Sequence, residues 1–126
     1  MVQNERLNAL TEKVIGAAIE VHRTLGPGFL ESTYEEALSY ELELRGIEHE
    51  RQFPVEVSYK RKSVGQGRVD ICVEKRLIVE LKTVEALLPI HTAQVMAYLK
   101  ATSIKFGLLI NFNVPVLKQG LKRIAL

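Results

Sequence analysis

One cysteine, Cys72, is all that the 126 residues contain. That excludes an internal disulfide framework and a cysteine-only zinc site, and makes a reducing cytoplasm the expected compartment. In the strand-like pattern around it, Cys72 reads as a small packing residue rather than a nucleophile, because a buried free cysteine behaves as a small apolar group. No apolar run approaches the ~20 residues that span a bilayer, so no membrane role is expected. The opening Met1-Val-Gln-Asn-Glu-Arg6 lacks the basic-then-apolar order of a signal peptide. Neither sign of charge dominates: 17 Lys and Arg against 15 Asp and Glu leave a net charge of +2. Such a balance permits a nucleic-acid partner without requiring one. Internal repeats, low-complexity segments and linkers are also missing. What remains is an ordinary globular composition, 47% hydrophobic and 25% charged, for which one domain covering residues 1–126 is expected.

Leu7, Leu10, Val14, Ala17, Ala18, Val21 and Leu25 recur at three-and-four spacing, which predicts an amphipathic helix over about 4–25. Gly26-Pro27-Gly28 stops it. A second helix is expected from Leu30 to Arg45, ending at Gly46. Ile47–Phe53 reads as a polar edge strand and Val55–Tyr59 as an alternating one, followed by a basic turn over Lys60–Gly65. Two strands then flank the turn Glu74-Lys75-Arg76. A third helix is expected over Ile90–Thr102, a doubly covered strand over Phe106–Phe112 and a short strand over Arg123–Leu126. The order α-α-β-β-β-β-α-β-β predicts a single α/β domain with a mixed central sheet flanked by helices.

The stretch Gly67-Arg-Val-Asp70 through Val79-Glu80-Leu-Lys82 carries most of the chemical information. Val69, Ile71 and Val73 alternate with Asp70 and Cys72, and Leu77, Val79 and Leu81 alternate with Ile78, Glu80 and Lys82. Pairing Val73 with Leu77 across the turn sets Asp70 opposite Glu80 and Arg68 opposite Lys82. Facing β-carbons in such pairs sit roughly 4.5–5.5 Å apart, where like charges destabilise a sheet. A shared divalent cation or a shared proton resolves the conflict. Lys82 falls on the same face as Glu80. This layout suits metal-dependent phosphodiester cleavage, with Mg²⁺ or Mn²⁺ as hard cations for oxygen ligands. The alternative is an exposed face on which Arg68, Asp70, Glu80 and Lys82 form surface ion pairs worth little each.

Other residues have two readings. Glu31 in the first turn of the second helix suits the helix dipole, and Ser32 with Glu35 would form a capping box. Tyr34 reads first as a half-buried core aromatic with a polar tip. His91, Gln94 and Tyr98 share one helical face, which looks onto solvent or onto a site; for His91 alone the solvent or helix-start role is favoured. The clusters Lys60-Arg61-Lys62 and Lys118, Lys122, Arg123 could track phosphates or be ordinary solvated turns.

Taken in order, Gly28-x-x-Glu31-x-x-Tyr34, Gly67-Arg-Val-Asp70, Val79-Glu80-Leu-Lys82 and Gln94-x-x-x-Tyr98 resemble the PD-(D/E)xK nuclease superfamily, and within it the GxxExxY proteins. Gly107–Phe112 and Leu121–Ile124 are similar to that group's closing segments, so the resemblance covers nearly the whole chain. It implies a restriction-endonuclease-like core, with Asp70, Glu80 and the Leu81 carbonyl as metal ligands and Lys82 as the catalytic lysine. It also implies that Glu31 belongs to the active site, and that Gln94 and Tyr98 arrange it and contact nucleic acid. The position before Asp70 is Val69 where the motif name has proline, a departure common in the superfamily. Three functions follow: a Mg²⁺-dependent nuclease, with DNA favoured over RNA; a nucleic-acid-binding or accessory module that does not cut; and an interaction protein with merely superficial carboxylates. A core this small favours a homodimer or an accessory chain.

Overall fold

The computed structural model describes residues 2–126, with side chains described from Glu5 onward; Met1, part of the N-terminal reading above, lies outside them. Helices α1 (Val2–Leu25) and α2 (Glu31–Leu44) are followed by β1 (His49–Tyr59), β2 (Lys62–Val73) and β3 (Leu77–Lys82). Helix α3 (Pro89–Thr102) then crosses to β4 (Phe106–Asn111), and a 3-10 turn at Leu117–Gly120 leads into β5 (Leu121–Ala125). The sheet runs β1-β2-β3-β4-β5; β3 and β4 are parallel and the other neighbours antiparallel. This is the expected mixed α/β sheet.

The apolar stripe of α1 is buried as its spacing predicts, with Val14, Ala17 and Ala18 fully enclosed. Gly26 ends the helix at φ 72°, donating its N–H to the His22 carbonyl, a conformation a side chain would disfavour. Helix α2 buries Tyr34, Leu38 and Leu42, whereas Leu44 is exposed. Both helices pack with Ile71, Val73, Leu77, Val79 and Leu81 on one side of the sheet. On the other side α3 packs Val95 and Leu99 against Val69, Cys72, Ile78 and Leu109. Strand β4 is covered on both faces, as its apolar run requires.

Three expectations need correction. The two segments expected on either side of Pro54 form one strand. β1 is an edge, and an edge strand tolerates a proline that has no N–H to give. The turn after it contains only Lys60 and Arg61, both left-handed at φ 50° and 71°, and Lys62 already belongs to β2. The third concerns alternation. Val69 and Ile71, two residues apart, should share a face, yet Val69 packs on the α3 side and Ile71 on the α1–α2 side. The β1–β2 ribbon therefore changes face at the step holding Asp70. Gln52, in register with Asp70 but missing from the ladder between Arg51↔Ile71 and Phe53↔Val69, has φ 50°.

Candidate active site

The β2–β3 ladder holds three pairs, Val73↔Leu77, Cys72↔Ile78 and Ile71↔Val79, and then stops. The expected turn register is correct, but the pairs beyond it do not form. Arg68 pairs instead with Pro54 on β1, and Lys82 with Asn111 on β4. The strands part at Asp70 and Glu80 because each follows its other neighbour. In the gap, side chains replace the missing backbone bonds. Glu80 Oε1 accepts the Asp70 N–H at 2.7 Å, and Asp70 Oδ2 accepts the Leu81 N–H at 2.8 Å. The Leu81 carbonyl lies on the same strand edge as its N–H, so it faces this gap too.

Glu80 is only 4% exposed, and the described ion pairs include none among Arg68, Asp70, Glu80 and Lys82. The exposed ion-pair face is thereby excluded. Burial, then the nearby Asp70 charge, pushes the Glu80 carboxyl up to about 7. Burial also raises Asp70, partly offset by the Leu81 N–H. Glu31 is raised by burial and by Asp70, while Lys82 draws it down. Glu31, Asp70, Glu80 and Lys82 thus lie within electrostatic reach of one another, and Glu31 arrives from the first residue of α2.

The capping box does not form. Leu30 caps α2 without a side-chain bond, and Glu35 is committed elsewhere. Tyr34, fully buried and stacked on Phe112 at 4.4 Å, donates its hydroxyl to the Gly26 carbonyl at 2.5 Å and accepts the Phe29 N–H at 3.2 Å. It ties down the Gly26–Leu30 loop that presents Glu31. On α3, Gln94 Oε1 accepts from Lys82 Nζ at 3.2 Å, so the helix face carrying Gln94 looks onto the site. Tyr98 lies over Gly67, where a β-carbon would come within 3.0 Å of its ring. His91 accepts the Leu88 N–H at the helix start, the structural role favoured for it. Lys60, Arg61 and Lys62 sit at the far end of the β1–β2 hairpin, away from these groups, and Arg123 is paired with Glu12 on α1. Burial pushes the Cys72 thiol up to about 11, which suits packing and not nucleophilic attack.

Three polar residues around the site carry roles that the sequence did not suggest for them. Glu35, 8% exposed, accepts from Arg51 at 3.0 and 3.1 Å and from Gln52 at 2.7 Å. Its place one turn after Glu31 was a usable signal. Asn111, buried at the end of an apolar strand, accepts the Val84 N–H and donates to the Val84 carbonyl, fixing the chain just beyond Lys82. A lone amide closing an apolar run points to such a role, since buried polar groups need partners. Nothing in the sequence marked Gln52.

No three described Asp, Glu, His or Cys side chains close into a metal cage. Asp70 and Glu80 each keep one oxygen not bonded to a strand N–H. Two carboxylates and a carbonyl, with the rest of the shell left to water and substrate, fit Mg²⁺ or Mn²⁺ better than a cation wanting an all-protein cage.

A mixed sheet with two carboxylates at a strand fork, a lysine two residues beyond the second, and an acidic residue arriving from a helix start is a nuclease-type core. Residues 8–124 match the sequence model of the PD-(D/E)XK nuclease superfamily, and the chain belongs to it. Divalent metal ions are general in this superfamily. Among curated proteins no sequence matches this one. The crystal structure of SSO0001 is similar in fold, with a TM-score of 0.61 at 21% identity over 75% of this chain and 48% of that one. The present chain thus spans about half the length of that structure. No helix among the described residues is long and apolar enough to cross a membrane.

Proposed function

We propose that this protein is a divalent-metal-dependent nuclease that hydrolyses phosphodiester bonds, in DNA rather than RNA, and that it falls within the GxxExxY group. The observation that carries this reading is the clasp of Asp70 and Glu80 across the parting strands, with Lys82 and Glu31 beside it. Asp70, Glu80 and the Leu81 carbonyl would hold Mg²⁺ or Mn²⁺, which when bound supplies Lewis-acid polarisation of phosphate and water.

The remaining roles belong to side chains. Lys82, oriented by Gln94, would stabilise charge building on the phosphate. Glu31, its pKa raised by burial, is suited to orient a water and accept its proton. Tyr98, on the Gln94 face of α3, would contact the nucleic acid. Lys60, Arg61 and Lys62 would meet phosphates farther along. They cluster three positive charges at the hairpin tip, where phosphates can be reached without burying charge. A homodimer or an accessory chain would widen the footprint on the substrate. A reducing cytoplasm suits the free Cys72 thiol.

The test is cleavage of single- and double-stranded DNA and RNA with Mg²⁺, Mn²⁺ or EDTA. The expected result is metal-dependent cutting of DNA that fails in Lys82→Met. A wild type that binds DNA with metal present and never cuts it is instead a binding or accessory module.

A further inference from the structure

Consecutive strand residues point to opposite faces, so Arg51 and Gln52 should not reach the same partner. They do. Arg51 donates to Glu35 Oε2 at 3.1 Å through Nε and at 3.0 Å through Nη2, while Gln52 Nε2 donates to Glu35 Oε1 at 2.7 Å. The backbone of Gln52 makes this possible at φ 50°, a left-handed conformation unusual for a residue with a side chain and costly to hold in a strand. The same step is where the β1–β2 ribbon changes face and where the register sets Gln52 against Asp70. A side-chain amide carries two N–H groups. One serves Glu35, and the register that sets Gln52 against Asp70 makes that carboxylate the facing acceptor for the other.

We propose that Gln52 is a positioning residue for the Asp70–Glu80 centre, its amide bridging the buried Glu35 carboxylate and Asp70 from a deliberately left-handed backbone. The bridge separates two carboxylates without adding a charge, and it fixes Asp70 while Oδ2 remains on the Leu81 N–H. Arg51 anchors the far side of Glu35, so the order Arg51–Glu35–Gln52–Asp70 ties the outer layer to the centre. Such outer-layer partners typically change metal affinity or activity by roughly 10–100-fold when lost. The inference rests on the proposed metal role of Asp70, so its test also includes a measurement without metal.

Gln52→Asn separates the two things Gln52 does. Asparagine accepts a left-handed backbone more readily than glutamine but is one methylene too short to bridge. The metal-free variant should melt at or above the wild-type temperature, while Mn²⁺ affinity by calorimetry falls about 10–100-fold and kcat falls more than KM rises. In the metal-free wild type, the Gln52 side-chain amide NMR signals should move both in Glu35→Gln and in Asp70→Asn. A Gln52 amide indifferent to Asp70→Asn overturns the proposal. So does Mn²⁺ affinity within twofold of wild type, or a melting temperature that drops along with the affinity. If wild type binds no Mn²⁺ while its Gln52 amide responds to both carboxylates, the bridge is supported and the metal-site reading fails.

Discussion

Glu80 accepts the Asp70 N–H, and Asp70 accepts the N–H of Leu81, so each carboxylate terminates the opposite strand where the ladder ends. The exchange satisfies two backbone donors at the cost of burying two negative charges. Without metal, a proton has to offset that cost.

A pH dependence follows. Burial and Asp70 raise Glu80 from 4.5 to about 7, so between these values the folded protein keeps a proton that the unfolded chain has released. The resulting stability is fully present below about 4.5 and is lost as pH rises through about 7, worth about 3 kcal/mol for Glu80 alone. The raised Asp70 and Glu31 act in the same direction. Glu80→Gln keeps an oxygen for the Asp70 N–H and cannot ionise. With EDTA it should be more stable than wild type at pH 8, show a flatter profile from pH 5 to 8 in urea denaturation, and gain nothing from Mg²⁺. Parallel pH profiles for the two proteins would place the titrating group elsewhere.

Lys82→Met should keep the fold and the rise in melting temperature on adding Mn²⁺, yet lower the cleavage rate by about 10²–10³-fold. Lys82 also draws down the Glu31, Asp70 and Glu80 carboxyls, so its loss should move the acid limb of metal binding to higher pH. Cleavage equal to wild type would mean that the activity comes from another site.

Tyr34→Phe retains the stack on Phe112 and deletes the hydroxyl that joins Gly26 to Phe29. Losing these bonds should cost about 1–3 kcal/mol. Amide exchange at Phe29 and Leu30 should accelerate, and cleavage should fall by about 10–10²-fold as Glu31 loses its fixed position. Unchanged exchange at Phe29 would show that the loop holds without Tyr34.

Replacing Lys60, Arg61 and Lys62 with alanine tests the hairpin tip. About eight residues of β2 separate it from Asp70, roughly 26 Å at strand spacing. That span equals about eight nucleotides at 3.4 Å per step. The variant should lose affinity for longer oligonucleotides but not for those under about eight nucleotides, raising KM far more than it lowers kcat. Its log–log salt slope should shrink by up to about 2.7, the share of three phosphate contacts. An unchanged salt slope would return the tip to an ordinary solvated turn.

Much of this molecule is local and was legible in the chain. The stripe of α1, the breaks at Gly26 and Gly46, the Val73–Leu77 register and the doubly covered β4 follow from periodicity and turn chemistry over a few residues. The grouping of Asp70, Glu80, Lys82 and Glu31 as one candidate site came instead from the resemblance of several motifs in order, since each motif is weak alone and the first turn of α2 by itself read Glu31 as structural. Tertiary structure decided the rest. Pro54 looked like a strand break because nothing local told that β1 lies on an edge. Ser32 and Glu35 looked like a capping box because the partners of Glu35, Arg51 and Gln52, come from another element. The departure of β2 from β3 after Ile71↔Val79 depends on β1 holding one strand and β4 the other. Alternation assumes an unbroken pleat, and the left-handed Gln52 breaks it at Asp70. Side-chain period is set by neighbours in sequence, but the direction in which a carboxylate points at a strand fork is set by the long-range contacts that pull the strands apart.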